Sequence, residues 1–135
     1  MGTKPIEVSA GLVFRDGKVL ITRRRDDTHL GGLWEFPGGK RRPNESFEEC
    51  LKRELREELG IEVEVEELIE EITHTYPEQT VHLRFYRCAW RQHEPQRIGC
   101  ADFVWAAQSQ LMQYPFPEAD ARLLGKLTGS PEWWR

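Results

Sequence analysis

The sequence predicts an α/β fold in which a mixed β-sheet is sandwiched between helices. Two regions, residues 6–36 and 61–106, are built from short β-branched, aromatic and alternating stretches. Between them, residues 46–59 carry apolar side chains at the helical period. A chain of 135 residues can bury one sizeable core, so we predict a single domain over residues 1–135.

The first β-rich region predicts a hairpin, a short strand and a glycine turn. Gly38 and Gly39 follow the short strand, and two glycines permit a close approach of the backbone to a ligand. The predicted elements are strands at 6–14, 19–22 and 34–36, with an Asp16-Gly17 turn and a polar loop at 26–33.

Both ends of the central helix are marked in the sequence. Ser46 is a favourable N-cap, and Glu49 three residues later completes a capping box. Gly60 stands where a left-handed residue ends a helix, so we predict a helix over residues 46–59. Its apolar stripe, which must pack on another element, consists of Phe47, Leu51, Leu55 and Leu59.

The second β-rich region predicts longer strands and a helical C-terminal part. Two exposed tryptophans would be costly, so we expect Trp133 and Trp134 to pack on the domain or on a partner. The predicted elements are strands at 61–75, 80–90 and 103–106, a polar loop at 94–102, a helical turn at 110–113 capped by Ser109, and a helix at 118–126.

Composition excludes several functional classes. Hydrophobic residues make up 39% and charged residues 31%, which is typical of a globular domain. The net charge of −4 argues against stable nucleic-acid binding, and no apolar run approaches the ~20 residues that span a bilayer. Three widely spaced cysteines indicate reduced thiols and a cytoplasmic protein.

Three glutamates lie on one arc of the predicted helix. Glu54, Glu57 and Glu58 are spaced i, i+3 and i+4, where like charges repel each other. A divalent cation that prefers oxygen ligands, such as Mg²⁺ or Mn²⁺, would remove this repulsion. A solvated charged face is the alternative, and the spacing of the flanking residues decides between the two.

That spacing resembles the Nudix box, Gly-x5-Glu-x7-Arg-Glu-U-x-Glu-Glu-x-Gly-U with U aliphatic. A chance match at a given start is on the order of one in 10⁹ from average residue usage, which disfavours the solvated face. The nine fixed positions are all matched, by Gly39, Glu45, Arg53, Glu54, Leu55, Glu57, Glu58, Gly60 and Ile61.

The resemblance implies the Nudix α/β/α sandwich with its catalytic loop-helix-loop and dependence on Mg²⁺. By position, the carbonyl of Gly38 and the carboxylates of Glu54, Glu57 and Glu58 would bind the metal. Glu54 would serve as or assist the general base. The resemblance assigns catalysis to Arg53, Glu54 and Glu57, and structural roles to Gly39, Gly60 and Glu45, which would pair with Arg53.

The segments at 21–40, 75–88 and 114–124 resemble the MutT-like subfamily. This resemblance implies hydrolysis of a nucleoside triphosphate to a monophosphate and pyrophosphate by a monomer or homodimer. Arg24 and Lys40 match phosphate contacts. Asp120 would hydrogen-bond the base, although it could instead be a first-turn helix carboxylate. The carbonyl of Phe36 and the side chains of Tyr76, Val81, Phe116 and Pro117 would line the base pocket.

The sequence departs from the MutT-like pattern before its last strand. The pattern has a further metal-binding glutamate six residues before a tryptophan, and counting back from Trp105 reaches Gly99. Glu94 or Asp102 could substitute for it, or the site could rely on the helix alone.

Three functions compete. The first is a sanitiser of the nucleotide pool that hydrolyses 8-oxo-dGTP, and an ionised Asp120 would suit its N–H donors. The second is a CTP or modified-dCTP pyrophosphohydrolase, which the same flanks also resemble. The third is a weakly catalytic reader of oxidised guanine, like the C-terminal domain of adenine DNA glycosylases. The intact Glu54-Glu57-Glu58 set argues against the reader. An isopentenyl diphosphate isomerase shares the Nudix box, but the short chain and the MutT-like flanks disfavour it.

Overall fold

We analysed a computed structural model of the chain, which describes residues 4–134. The ends of the predicted domain, residues 1–3 and 135, lie outside that part, so the domain bounds stay a prediction. The strands are β1 (Ile6–Arg15), β2 (Lys18–Arg23), β3 (Trp34–Glu35), β4 (Gly38–Lys40), β5 (Glu62–Thr75), β6 (Thr80–Gln92) and β7 (Asp102–Ala107). The helices are α1 (Phe47–Leu59) and α2 (Ala121–Thr128), with 3₁₀ segments at Gln108–Gln113, Glu118–Asp120 and Pro131–Trp134.

Strand β1 is the centre of a mixed sheet. It pairs in parallel with β6 over its whole apolar length and antiparallel with β2 and β4, while β3 and β7 pair with β2 and β5 with β6. The hairpin from β1 to β2 turns at Asp16 and Gly17, which have φ angles of 52° and 75°. Positive φ at both positions is the geometry that an Asp-Gly pair favours, so the predicted turn is confirmed.

The sheet separates two hydrophobic clusters, which gives the predicted α/β/α arrangement. On one face, the fully buried stripe of α1 packs on β-strand residues. On the other face, α2 and the 3₁₀ segments cover the sheet. The α1 cluster includes Val13, Leu20, Leu51, Leu55, Leu59, Ile61 and Tyr86, and the opposite cluster includes Leu12, Ile21, Phe85, Leu111, Leu123, Leu127 and Trp134.

The predicted caps of α1 are confirmed. The Glu49 amide donates to the Ser46 hydroxyl over 3.0 Å, and the Ser46 amide donates to the Glu49 carboxylate over 2.8 Å. Gly60 ends the helix with a φ of 69°. Because these bonds are local in sequence, α1 is fixed before any tertiary contact is considered.

Some predicted boundaries are wrong. The short strand ends at Glu35 rather than residue 36, because Pro37 follows and restricts the preceding backbone. The predicted cap Ser109 does not begin the next helical turn, whose N-cap is Ala107. The helix predicted at 118–126 begins with a 3₁₀ turn, and α2 proper runs from Ala121 to Thr128.

The C-terminal tryptophans pack on the domain, as predicted. The Trp134 ring meets Phe14 edge-on with centroids 5.4 Å apart, and its indole N–H donates to the Leu127 carbonyl over 2.9 Å. Trp133 is partly buried against the same cluster. In residues 4–134, no helix has the length and apolar character needed to cross a bilayer.

Candidate active site

Arg53 connects the glycine loop with the glutamates of α1. Its guanidinium makes a bidentate pair with Glu45, over 2.9 and 2.6 Å, and also donates to the Lys40 carbonyl over 3.1 Å. The predicted pair of Glu45 and Arg53 is therefore present. These hydrogen bonds lower the pKa of Glu45 to about 2, so its carboxylate stays charged at any physiological pH.

The same guanidinium holds two of the glutamates predicted to bind metal. It donates to Glu54 over 2.8 Å and to Glu57 over 3.1 Å. Both bonds come from one nitrogen, so the two carboxylates lie on the same side of Arg53. Arg53 is thus placed to orient these carboxylates, and its predicted part in catalysis stays a prediction.

Glu54 passes directly over the glycine loop. A Cβ atom at Gly39 would lie 2.3 Å from the Glu54 carboxyl carbon, and one at Gly38 would lie 1.9 Å from the Ser9 carbonyl oxygen. Both distances are below the ~3.0 Å at which a real Cβ atom approaches another heavy atom. The two glycines were predicted to let a ligand approach, and the structure shows that Glu54 and β1 also need the space. Gly38 and Gly39 accordingly belong to β4 rather than to a free turn.

Glu58 lies apart from the Arg53 network. Burial, followed by the charges of Glu35 and Glu54, raises the pKa of Glu58 to about 8. Without a cation, this carboxyl group therefore holds a proton at neutral pH. A divalent cation would favour the ionised form, because it supplies the positive charge that the surroundings lack.

The donor set fits a hard cation. Three carboxylates project from neighbouring positions on α1, and carboxylate oxygens are the ligands that Mg²⁺ and Mn²⁺ prefer. Within residues 4–134, no three acidic, histidine or cysteine side chains already converge on one point as ligands. Glu54 and Glu57 are each paired with Arg53 through one carboxylate oxygen, and their role as metal ligands stays a prediction.

A cavity of about 200 Å³ opens beside the glycine loop, on the sheet face away from the α1 core. Tyr76, Val81, Pro117 and Asp120 line it, as predicted for the base pocket. The predicted phosphate contacts Arg24 and Lys40 line it as well, together with Phe36, Gly38 and Gly39. The cavity therefore unites the predicted base and phosphate residues.

Phe116 is the exception among the predicted lining residues. Its ring packs on Phe36 with centroids 5.3 Å apart, as part of the hydrophobic cluster behind the cavity. Phe116 is half-buried and touches Phe36, which does line the cavity, so its place in the base pocket stays a prediction.

Asp120 is buried, with 6% of its surface exposed, and its side chain makes no hydrogen bond within residues 4–134. It lies in the first turn of the 3₁₀ segment Glu118–Asp120, directly before α2, and makes no side-chain capping hydrogen bond, so the first-turn alternative considered from the sequence stays open. Burial, followed by the charge of Glu35, raises the pKa of Asp120 to about 7. The sequence analysis assumed an ionised Asp120, and this assumption holds only above about pH 7.

Glu35 is a site residue that the sequence analysis missed. It lines the cavity and also a second cleft that contains Glu58 and Gly99. The Arg24 guanidinium donates to it over 3.0 Å, and burial raises the pKa of Glu35. An acidic residue in an otherwise apolar short strand was the available signal for a functional role of Glu35. The residues that Glu35 contacts could not be predicted, because they depend on the pairing of β2 with β3.

Neither acid near Gly99 lines the cavity or the cleft beside Glu58. The Gly99 amide donates to the Glu58 carbonyl over 3.0 Å, so the backbone itself covers the end of α1. Glu94 pairs with Arg15 over 2.5 Å, and Asp102 pairs with Arg97 over 3.2 Å. Both acids are thus held by cations outside the cavity and cleft, which favours the alternative in which the site relies on helix glutamates.

The fold and these side chains define a class of protein: a hydrolase of phosphoric anhydrides built on a loop-helix-loop. The family model described as NUDIX domain matches residues 9–126, and the chain belongs to that family. The prediction of a MutT-like Nudix hydrolase is confirmed by the relatives of the chain.

Two curated relatives match almost the whole chain. The CTP pyrophosphohydrolase of Escherichia coli strain K12 is 39% identical over 126 residues, which cover 90% of each chain. The 8-oxo-dGTP diphosphatase of Haemophilus influenzae is 36% identical over 128 residues, which cover 94% of each chain. Among solved structures, the E. coli ORF135 protein superposes with a TM-score of 0.80 at 36% identity, covering 95% of this chain and 91% of that one.

Proposed function

We propose that the protein is a Mg²⁺-dependent nucleoside triphosphate pyrophosphohydrolase that sanitises the nucleotide pool. Water cleaves the anhydride bond between the α- and β-phosphates, which yields a nucleoside monophosphate and pyrophosphate. One observation carries the proposal. The box glutamates that Arg53 organises stand beside a cavity lined by the cationic side chains of Arg24 and Lys40 and by Asp120.

The α1 glutamates supply the acid–base chemistry. When bound, Mg²⁺ or Mn²⁺ would supply Lewis-acid chemistry that activates water and offsets charge on the phosphoryl oxygens. Glu54, Glu57, Glu58 and the Gly38 carbonyl would hold the ion. Glu54 lies closest to the glycine loop and would accept the proton of the attacking water. Arg53 keeps Glu54 in position through its 2.8 Å hydrogen bond.

Arg24 and Lys40 would bind the phosphates. Lys40 is exposed at the end of β4, and Arg24 is only partly engaged, by Glu35 and by the His29 carbonyl. Arg24 uses its Nε and Nη1 in these bonds, so its Nη2 donors are available to phosphate oxygens without loss of the pair with Glu35. These two residues would orient the triphosphate chain towards Glu54.

We propose 8-oxo-dGTP as the preferred substrate. Oxidation adds an N7–H donor to guanine, and the ionised form of Asp120 accepts hydrogen bonds without donating them. The Asp120 carboxyl lines the cavity and makes no capping hydrogen bond, so its oxygens are available to accept from a base that supplies a donor. The mutator and DNA-repair role of the MutT-like proteins would follow from this preference.

CTP or a modified dCTP is the second candidate. The relative of 39% identity is named CTP pyrophosphohydrolase, and the cavity has room for a smaller base. Cytosine offers a single exocyclic amine, which Asp120 could also accept. A location in the cytoplasm is supported by three cysteines that are all free and buried. The oligomeric state, monomer or homodimer, is part of the same proposal and is measured by sedimentation.

A panel of normal and oxidised nucleoside triphosphates tests the function. Each triphosphate is incubated with the protein and Mg²⁺, and monophosphate and pyrophosphate are quantified. We expect kcat/KM for 8-oxo-dGTP to exceed that for dGTP and CTP by at least ~10-fold. A higher kcat/KM for CTP or a modified dCTP would establish the second candidate, and release of orthophosphate alone would refute the proposed cleavage site.

A further inference from the structure

Glu70 on β5 is a buried acid with no part in the phosphate chemistry. It is 6% exposed, and its carboxylate accepts from Arg122 over 2.6 Å, from Lys126 over 2.6 Å and from the Glu71 amide over 3.1 Å. These hydrogen bonds, with Arg122 first, lower the pKa of Glu70 to about 2. Arg122 and Lys126 are four residues apart and lie on one side of α2, so a single carboxylate holds two turns of the helix.

A bulge in β5 turns Glu70 towards the cavity side of the sheet. Leu68 lies opposite Tyr86, and Glu70 lies opposite Phe85, so Ile69 is an extra residue without a partner across the ladder. In an unbroken register, Glu70 would lie opposite Arg84 on the other face. The bulge thus places the acid beside Phe85, which lines the cavity. Bulges commonly re-aim a side chain next to a functional site.

The helix that Glu70 holds begins at the base-binding wall. Asp120 immediately precedes α2, and Pro117 and Ala119 in the preceding turn also line the cavity. The other side-chain hydrogen bonds of α2 to the domain lie at its far end, from Gln108 and Trp134 to the last carbonyls. Among residues 4–134, the Glu70 carboxylate makes the side-chain hydrogen bonds that join α2 directly to the sheet.

We infer that Glu70 is a positioning residue that sets base selectivity, because through Arg122 and Lys126 it fixes the distance of Asp120 from the opposite wall of the cavity. This inference rests on the proposed function. Burying a carboxylate is costly, and a well-packed apolar residue could secure the helix with less loss. An ion pair, unlike an apolar contact, defines one register of helix and strand. A carboxyl group that hydrogen-bonds the base needs a fixed position, since a misplacement of ~1 Å disrupts a hydrogen bond.

The test compares Glu70→Gln with Glu64→Gln. Glu64 is the matched control, because it lies on the same strand and pairs with Arg91 over 2.6 Å, but both members of this pair are exposed and neither lines the cavity. For each variant, kcat and KM are measured for 8-oxo-dGTP, dGTP and CTP. For Glu70→Gln we expect KM for the preferred triphosphate to rise ~10-fold, kcat to change less than ~3-fold, and the selectivity ratio to fall at least ~5-fold. Glu64→Gln should leave all three quantities unchanged.

Two helix variants keep the test decisive if Glu70→Gln does not fold. Arg122→Gln removes one partner from an exposed position, and Arg122→Lys restores the charge. We expect Arg122→Gln to lower the selectivity ratio and Arg122→Lys to recover part of it. A lower Tm with an unchanged ratio in these variants would overturn the inference and leave Glu70 as a stabilising residue. A wild type that hydrolyses no triphosphate would instead refute the proposed function, on which the inference rests.

Discussion

Gly39 and Glu54 are in such close contact that a methyl group added to Gly39 would overlap the Glu54 side chain. A Cβ atom at Gly39 would lie 2.3 Å from the carboxyl carbon of Glu54. The contact links the loop that faces the cavity to the helix that carries the acids. It explains, from the steric side, why the loop needs glycine at this position even though β4 has ordinary strand pairing.

Gly39→Ala should therefore reduce catalysis more than stability. The Glu54 carboxyl group is the flexible end of a side chain and would move aside, away from its place beside the loop. We expect kcat to fall ~10²-fold, the scale of a ~1 Å displacement of a reacting group. Steady-state kinetics and thermal unfolding of the same preparation provide the measurement.

Gly125→Ala is the matched control for that prediction. Gly125 lies inside α2, and a Cβ atom there would meet nothing within 4 Å. Alanine is the better helix former, so we expect the free energy of unfolding to rise by about 0.5–1 kcal/mol with unchanged kcat. Equal losses of kcat in both glycine variants would contradict the role given to the Gly39–Glu54 contact.

Removal of one α1 carboxylate should separate metal binding from folding. For Glu57→Gln and Glu58→Gln we expect weaker Mg²⁺ binding by calorimetry and a fall in kcat of more than ~10²-fold, since a charge-stabilising contact is lost. The metal-free protein should keep its fold, because repulsion among Glu54, Glu57 and Glu58 decreases. Wild-type turnover by either variant at saturating Mg²⁺ would show that its carboxylate is no ligand.

The two acids near Gly99 should be dispensable. Glu94 is held by Arg15 and Asp102 by Arg97, and neither lines the cavity or the cleft beside Glu58. We expect Glu94→Gln and Asp102→Asn to keep kcat/KM within ~3-fold of the wild type, because exposed ion pairs contribute little. A loss of ~10-fold in one variant only would identify that acid as the missing ligand.

The sequence predicts the helix and its box more completely than the pocket, for a physical reason. The Ser46 cap and the spacing of Glu54, Glu57 and Glu58 are set within a few residues, so local rules suffice. The role of Glu35 depends on pairing between β2 and β3, and the burial of Glu70 depends on a bulge against β6. No local pattern around Glu70 distinguishes it from the exposed glutamates of β5, and the single acid between Trp34 and Phe36 does not show which residues Glu35 contacts. The contact of Phe116 with Phe36 is likewise a result of packing and not of spacing.

The buried acids should make the metal-free protein less stable as the pH rises. The pKa of Asp120 is raised to about 7 from an ordinary 3.8, so the folded state holds a proton that the unfolded state releases. This contribution is fully present below about pH 4 and is lost as the pH rises through about 7. In Asp120→Asn the contribution is absent, and the difference in unfolding free energy between the two proteins should follow that range. Chemical denaturation at a series of pH values without metal measures it. Glu58, whose pKa is also raised, is common to both proteins and cancels in the comparison.

The same titration should control substrate choice. Above about pH 7 the Asp120 carboxylate is ionised and only accepts hydrogen bonds, which suits the N7–H donor of 8-oxoguanine. Below that pH the neutral carboxyl group can donate, which suits the bare N7 acceptor of guanine. The ratio of kcat/KM for 8-oxo-dGTP to that for dGTP should therefore increase as the pH rises from 6 to 8, by up to ~10-fold, the scale of one buried hydrogen-bond mismatch. In Asp120→Ala the ratio should be low and independent of pH, while pyrophosphate release at saturating substrate persists. A wild-type ratio that is flat or falls with pH would show that Asp120 does not recognise the N7 edge.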